Sequence, residues 1–185
     1  RAGLSKVPYG FENLQSSQNR APLDRTEPIN LAVNPNERDL GVFYYYTPED
    51  KQQLFRDLVD GGLKGSGNYG IFGIGVYNGQ GGSQFETNRN LHSVARFTYP
   101  HRFESGQVVE ASVQAIHGEY TVAGSALRAL GRGNSVTPAN TASNTGRAGV
   151  TESKVAGSVI VYPQPFGFQA EWQVGQGAGL SNNQL

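Results

Sequence analysis

The segment "FGFQAEWQVG", residues 166–175, alternates without a fault. Phe166, Phe168, Ala170, Trp172 and Val174 are apolar, and the positions between them are Gly167, Gln169, Glu171, Gln173 and Gly175. Successive side chains of a strand point to opposite faces, so the segment has one apolar face and one polar face. In a soluble sandwich the apolar face looks into the protein. In a membrane barrel it looks out into lipid and the polar face lines a wet interior. Alternation alone leaves both arrangements open.

The pattern recurs along the chain. In "VVEASVQAIHGEY" Val109, Ala111, Val113 and Ala115 alternate with Glu110, Ser112 and Gln114. In "LHSVARFTYP" Leu91, Ala95, Phe97 and Tyr99 share a face with Ser93, while His92, Arg96 and Thr98 share the other with Val94. In "KVAGSVIVYP" Val155, Val159 and Val161 lie on one side, but Ile160 and Tyr162 on the other spoil its polarity. Strands are expected over 2–10, 39–47, 69–78, 91–99, 108–122, 154–162 and 166–175. One amphipathic helix is expected over 48–60: Thr47 suits the cap, Pro48 the first helical position, Glu49 and Asp50 the positive end and Gly61 the stop. Leu54, Phe55, Leu58 and Val59 form its apolar stripe.

Composition narrows the choice. With 15 Lys plus Arg against 15 Asp plus Glu, bulk charge provides no electrostatic footprint for nucleic acid or acidic surfaces. The absence of Cys removes disulfides, thiol catalysis and cysteine metal sites. His92, His101 and His117 have no ligand spacing, so no metal or other cofactor is expected. No nucleophile elbow is present, and "GIGVYNGQGG" lacks the Lys-Ser/Thr ending of a phosphate loop, so the chain is not read as an enzyme. No apolar run reaches the roughly 18 residues of a spanning helix, whereas tilted barrel strands need only about 9 to 11. Twenty-five Gly, nine Tyr and nine Phe suit a β-rich chain with many turns. The tyrosines of "YYYT" fit either core packing or an aromatic girdle at a membrane interface.

The links are unequal. "HRFESG" and "PQP" are short, while 11–38, 80–90 and 123–153 are long, and the last is rich in Gly, Ser, Thr and Asn, as an exposed loop would be. With strands running up and down, long and short links fall on opposite ends, as in outer-membrane barrels. The helix-bearing link breaks that rule, because it belongs on the short-turn side.

The N-terminal phrases "GLSKVPYGFENLQSS", "PLDR" and "NERDLGV", followed by "GIGVYNGQG", resemble the outer-membrane porins of the phosphate-selective O and P type. The likeness rests on Lys6, Pro8, Tyr9, Gly10, the Asp24–Arg25 pair and Arg38, and covers about the first eighty residues; "YPQPFGFQAEW" extends it as a barrel turn between two strands. The resemblance implies an all-β, up-and-down transmembrane barrel in a Gram-negative outer membrane. It further implies a lipid bilayer as surroundings, a homotrimer or larger assembly, and loop 11–38 folded inward as a constriction. The implied function is passive diffusion of small anions, possible phosphate preference included, with Lys6, Arg20, Arg25, Arg38 and Arg96 as candidate pore-lining cations. A ring of such cations in a narrow wet lumen lowers the barrier for anions. Asp24, Glu27, Glu37 and Glu110 oppose that field. Seven strands fall short of a large pore and are odd in number, and Arg1 is no translation start, so the chain is expected to be an internal portion of a larger barrel. Two other readings compete: a small closed outer-membrane barrel for adhesion or anchoring, and a soluble carbohydrate-binding sandwich that buries Phe166, Phe168 and Trp172.

Overall fold

The structure is a computed structural model that describes residues 1–15, 38–63, 65–79, 81, 89–120 and 150–176. Seven strands form one sheet: β1 (Ala2–Lys6), β2 (Arg38–Tyr46), β3 (Phe72–Tyr77), β4 (His92–Arg102), β5 (Val108–Tyr120), β6 (Val150–Val161) and β7 (Phe168–Gln176). Their order in the sheet is their order in the chain, and each neighbouring pair is antiparallel. This is an up-and-down meander, and all seven strands lie where the alternation puts them. Among the described residues no helix is long and apolar enough to cross a membrane.

The strand ends differ from expectation for local reasons. β1 stops at Lys6 instead of running to position 10, because Pro8 has no N–H to donate and Gly10 turns the chain at φ 78°, a conformation open to glycine. β3 starts at Phe72, after one 3₁₀ turn over Gly67–Tyr69. β4 continues past Pro100 to Arg102. The proline is tolerated there because the β3 ladder ends at the Phe72–Phe97 pair, leaving that edge of Pro100 with no ladder bond to make. β6 begins at Val150, so the last positions of the expected loop 123–153 belong to the strand, and 121–149 lie outside the described residues.

Accessibility decides which face meets water. Leu40, Val42, Tyr44 and Tyr46 on β2, Ile74 and Val76 on β3, Phe97 and Tyr99 on β4, and Val113 on β5 are all exposed. The opening segment agrees: Phe166 is 88% exposed, Phe168 61% and Trp172 55%. The opposite face carries Asp39, His92, Arg96, Thr98, Glu110, Gln114, Glu152, Lys154 and Ser158, all buried. A soluble protein does the reverse, and among the described residues none covers Phe166, Phe168 or Trp172, against the sandwich reading. An apolar face turned outward is the arrangement of a transmembrane barrel wall. Aromatic residues mark its short-turn end on several strands, with Tyr46, Phe72, Phe103 and Phe168 pointing outward where an interfacial girdle belongs. The "YYYT" cluster is thereby divided: Tyr44 and Tyr46 face out, while Tyr45 faces in against Phe43 and Tyr69.

One outward position shows how tightly the face is fitted. Gly157 pairs with Trp172 across β6 and β7, and a Cβ at 157 would stand 2.6 Å from the indole. The glycine is therefore the seat of the ring, and a larger residue would lift it off the wall.

The helix α2 (Glu49–Asp60) sits at the short-turn end, as its place between β2 and β3 requires. It starts one residue later than expected, with the Pro48 carbonyl accepting from the Lys51 and Gln52 amides, and it ends where Leu63 N–H donates to Leu58 O and Gly62 adopts φ 76°. Leu54, Phe55 and Leu58 are buried; Val59 is exposed and lies off the stripe. The three buried residues pack with Ile71, Val108, Ile160 and Tyr162. This accounts for the mixed polarity of β6: Ile160 and Tyr162 face inward because the helix needs an apolar landing there. The helix also ties to β4 through Asp57 Oδ2 and Arg102 Nη2 at 2.8 Å. The Asp57 carboxyl is held below its ordinary range by the Gln53 amide and then by the Arg102 guanidinium, so that its contribution is present at neutral pH and fades as pH falls through its lowered pKa.

If the apolar face is wetted by lipid, Val113→Arg lowers folding stability by about 2 to 4 kcal/mol, the cost of a cation near the bilayer midplane. Urea titration of folding into phosphatidylcholine vesicles measures it; a variant as stable as its parent would show that this face does not meet acyl chains.

Candidate functional site

The polar face is not open along its length, because the chain itself covers it. After β1 residues 7–15 turn inward, forming one helical turn, α1 (Phe11–Leu14), and every residue from Val7 to Gln15 is buried. Val7 and Tyr9 pack with Phe43, Tyr77, Val94, Ile116 and Ala156, which come from β2, β3, β4, β5 and β6. Phe11 meets the α2 cluster from the other side. Two elements entering from opposite ends thus touch within the wall.

These contacts impose strong curvature. Six gaps of about 4.8 Å separate β1 from β7 in a flat sheet, about 29 Å in all. The five residue steps from Lys6 to Phe11 span at most about 18 Å. Yet Phe11 N–H donates to Glu171 Oε2 on β7 at 2.8 Å. The sheet must wrap around residues 7–15, as part of a barrel does.

The segment is gripped by polar side chains of the wall. Glu171 Oε2 also accepts from Glu12 N–H at 3.2 Å, so one carboxylate oxygen takes two of the amides that a helical turn leaves unpaired. Gly10 N–H donates to Gln114 Oε1, Tyr9 O–H to Gln173 Oε1, and Gln169 Nε2 to Glu12 Oε1, each at 3.3 Å. The segment is also braced internally. Asn13 Nδ2 donates to the carbonyls of Val7 and Tyr9, and Lys6 Nζ to those of Asn13 and Gln15 at 2.9 and 2.7 Å.

Among the five candidate cations, the described residues include Lys6, Arg38 and Arg96; Arg20 and Arg25 lie outside them, as does most of loop 11–38. Lys6 and Arg38 are cross-strand partners at the long-loop end. They share the outward parity of Leu4 and Leu40 and not that of the polar face; their place at the rim comes from ending the β1–β2 ladder. Lys6 bends back onto the inward segment, and Arg38 is exposed. Arg96 faces inward, as its alternation with Phe97 and Tyr99 indicates, but it is 1% exposed. Its Nη2 lies 3.7 Å from Glu110 Oε1, and Glu171 and Tyr45 also face it. At 3.7 Å the pair is a charge neighbour and not a hydrogen bond. Glu110 Oε2 meanwhile accepts from Tyr162 O–H at 2.7 Å.

A second buried constellation stands nearer the long loops. Glu152 lies 2.9 Å from His92 Nε2 and 2.6 Å from Lys154 Nζ, and Tyr77 packs against the imidazole. Asp39, close by along β2, accepts from the amides of Gly79 and Gly81 and fixes the start of the β3–β4 link. Among the described residues the strands therefore bring four inward carboxylates, Asp39, Glu110, Glu152 and Glu171, against the inward cations Arg96 and Lys154, with Arg102 on the same face at the short-turn end. Among the described residues no group of three or more His, Cys, Asp or Glu could hold a metal ion.

The grip by Gln114, Glu171 and Gln173 escapes sequence reasoning. Alternation marks those residues as one polar face, but what that face touches depends on the sheet's curvature and on the fold of a segment 104 to 164 residues away.

A wall with its apolar face outward is the arrangement that the N-terminal phrases imply. The family model described as phosphate-selective porin O and P matches residues 1–184, nearly the whole chain. The chain belongs to that family. No curated protein and no solved structure matches it. Membership makes it a porin, of a family of outer-membrane channels and not of enzymes, and agrees with the seven-stranded wall as part of a porin barrel.

Arg96 with Glu110 forms a buried pair, so removing one partner strands the other. Arg96→Met is expected to cost about 3 to 5 kcal/mol, and the double variant Arg96→Met/Glu110→Gln to recover most of it. Chemical unfolding in detergent measures both, and purely additive losses would show that the two side chains are not coupled.

Proposed function

We propose that this porin is a passive diffusion channel for small anions, phosphate among them, in the outer membrane of a Gram-negative bacterium. The observation that carries the proposal is the inversion of the wall, with Trp172 and its apolar neighbours outward and residues 7–15 laid against the polar face. Such a wall encloses an aqueous path, and a segment folded into that path narrows it. The family description supplies the anion.

The charge pattern supports a preference set at the rim. The strands carry more inward carboxylate than inward cation, so the wall by itself does not favour anions. Lys6 and Arg38 at the long-loop rim, together with Arg20 and Arg25 on the loop between them, supply the attracting potential. Arg96 adds to it least, because Glu110 and Glu171 offset its charge. We further propose assembly as a homotrimer, with the lipid face of the wall supplying the subunit contacts.

Reversal potentials in asymmetric potassium chloride, recorded with the intact protein in a planar bilayer, test this reading. The parent is expected to prefer chloride, and Arg38→Glu to move the reversal potential toward the potassium value. Cation preference in the parent would remove the basic rim from the proposal; absence of conductance would remove the channel.

A further inference from the structure

Residues 6–15 have the build of an arm. Lys6 and Asn13 bind the backbone carbonyls of Val7, Tyr9, Asn13 and Gln15, so the segment holds its own shape, and it leaves the sheet at one edge strand, β1. It is caught at the other edge strand, β7. Of the wall side chains that bond it, Gln114, Gln169 and Gln173 are neutral and stand 3.3 Å away. Glu171 differs: it is a carboxylate, it holds two backbone amides with one oxygen, and its bond to Phe11 is 2.8 Å. That one oxygen holds two consecutive amides of the segment, where Gln114 accepts from one.

We infer that Glu171 is the positioning residue that sets the bore, by clasping the inward segment at the far edge of the wall. The inference rests on the channel reading above. The groups that face the carboxylate besides the two amides are Glu12, which repels it, and Arg96, which balances it. The clasp is thus one carboxyl group that takes two amides, held between one acidic and one basic neighbour. Loss of that group frees the far end of the arm while the near end stays hinged on β1.

Two readouts on the intact protein test it. The 185 residues contain no cysteine, so Leu14→Cys introduces a thiol on the arm, at a buried position. Glu171→Ala is expected to raise the rate of maleimide labelling at that thiol on the order of tenfold and to increase unit conductance. Glu171→Gln, nearly the same shape but neutral, is expected to fall between parent and alanine variant, and it covers the case in which the alanine variant does not fold. Trp172→Phe, next in sequence but outward, is expected to change neither readout. Labelling and conductance of Glu171→Gln and Glu171→Ala equal to those of a conducting parent would overturn the clasp alone. A parent without conductance would overturn the channel reading and the bore with it, whatever the labelling shows.

Discussion

The constraint on which this structure depends is that lipid offers no hydrogen bonds to a backbone. Every N–H and C=O inside the bilayer must find a partner in the protein, which leaves helices and sheets closed into barrels as spanning forms. The seven-stranded ladder satisfies those groups strand by strand, and its side chains then sort by parity: apolar to the acyl chains, polar to the concave face. The edges β1 and β7 are not paired with each other among the described residues, and in lipid such edges call for further strands. Curvature follows from the same sheet, because only a wrapped wall lets a short stretch after β1 reach Glu171 on β7.

Parity was legible from sequence because it is local. A period of two survives whatever the rest of the chain does, and it placed Arg96 with His92 and Thr98 on the inward face, and Trp172 with Phe168 on the other. The helix at 49–60 was legible for the same reason, through its Pro48 start, its glycine stop and its apolar stripe. What parity cannot express is distance across the fold. The pairing of Arg96 with Glu110 depends on the β4–β5 register, which puts Arg96 opposite Gln114 and Thr98 opposite Ser112, so that Arg96 reaches its carboxylate diagonally. Local conformation hid the rest: Pro8 and Gly10 end β1 early, and that early end sends Val7 to Gln15 inward.

The irregularities of the pattern prove informative once the fold is known. Ile160 and Tyr162 stand on a face that elsewhere carries Ser158, Lys154 and Glu152, and they are the landing for Leu54, Phe55 and Leu58. A break in alternation near a strand end therefore marks where a barrel wall receives a packed element in place of water. The same logic applies to Gly157, whose missing side chain makes room for an indole on the lipid side. Departures from the period of two are positions where a second element imposes its own demand.

The distribution of charge separates two tasks that a porin must perform. Inward carboxylates on the strands are engaged with amides and cations: Asp39 with Gly79 and Gly81, Glu152 with His92 and Lys154, Glu171 with Phe11 and Glu12. Each of these fixes a loop, a strand neighbour or the arm, so the acidic wall is chiefly structural. A cation embedded among such groups, as Arg96 is, has its field cancelled within a few ångströms, whereas one at the rim acts on solute that has not yet shed its hydration. On the proposed reading selectivity and bore are set by different residues, with Arg38 at the rim and Glu171 holding the arm deep in the wall. Lys6 belongs to both, because its Nζ binds the carbonyls of Asn13 and Gln15 on the same arm, so substitutions there are expected to couple with those at Glu171, whereas those at Arg38 on β2 are expected to combine with them additively.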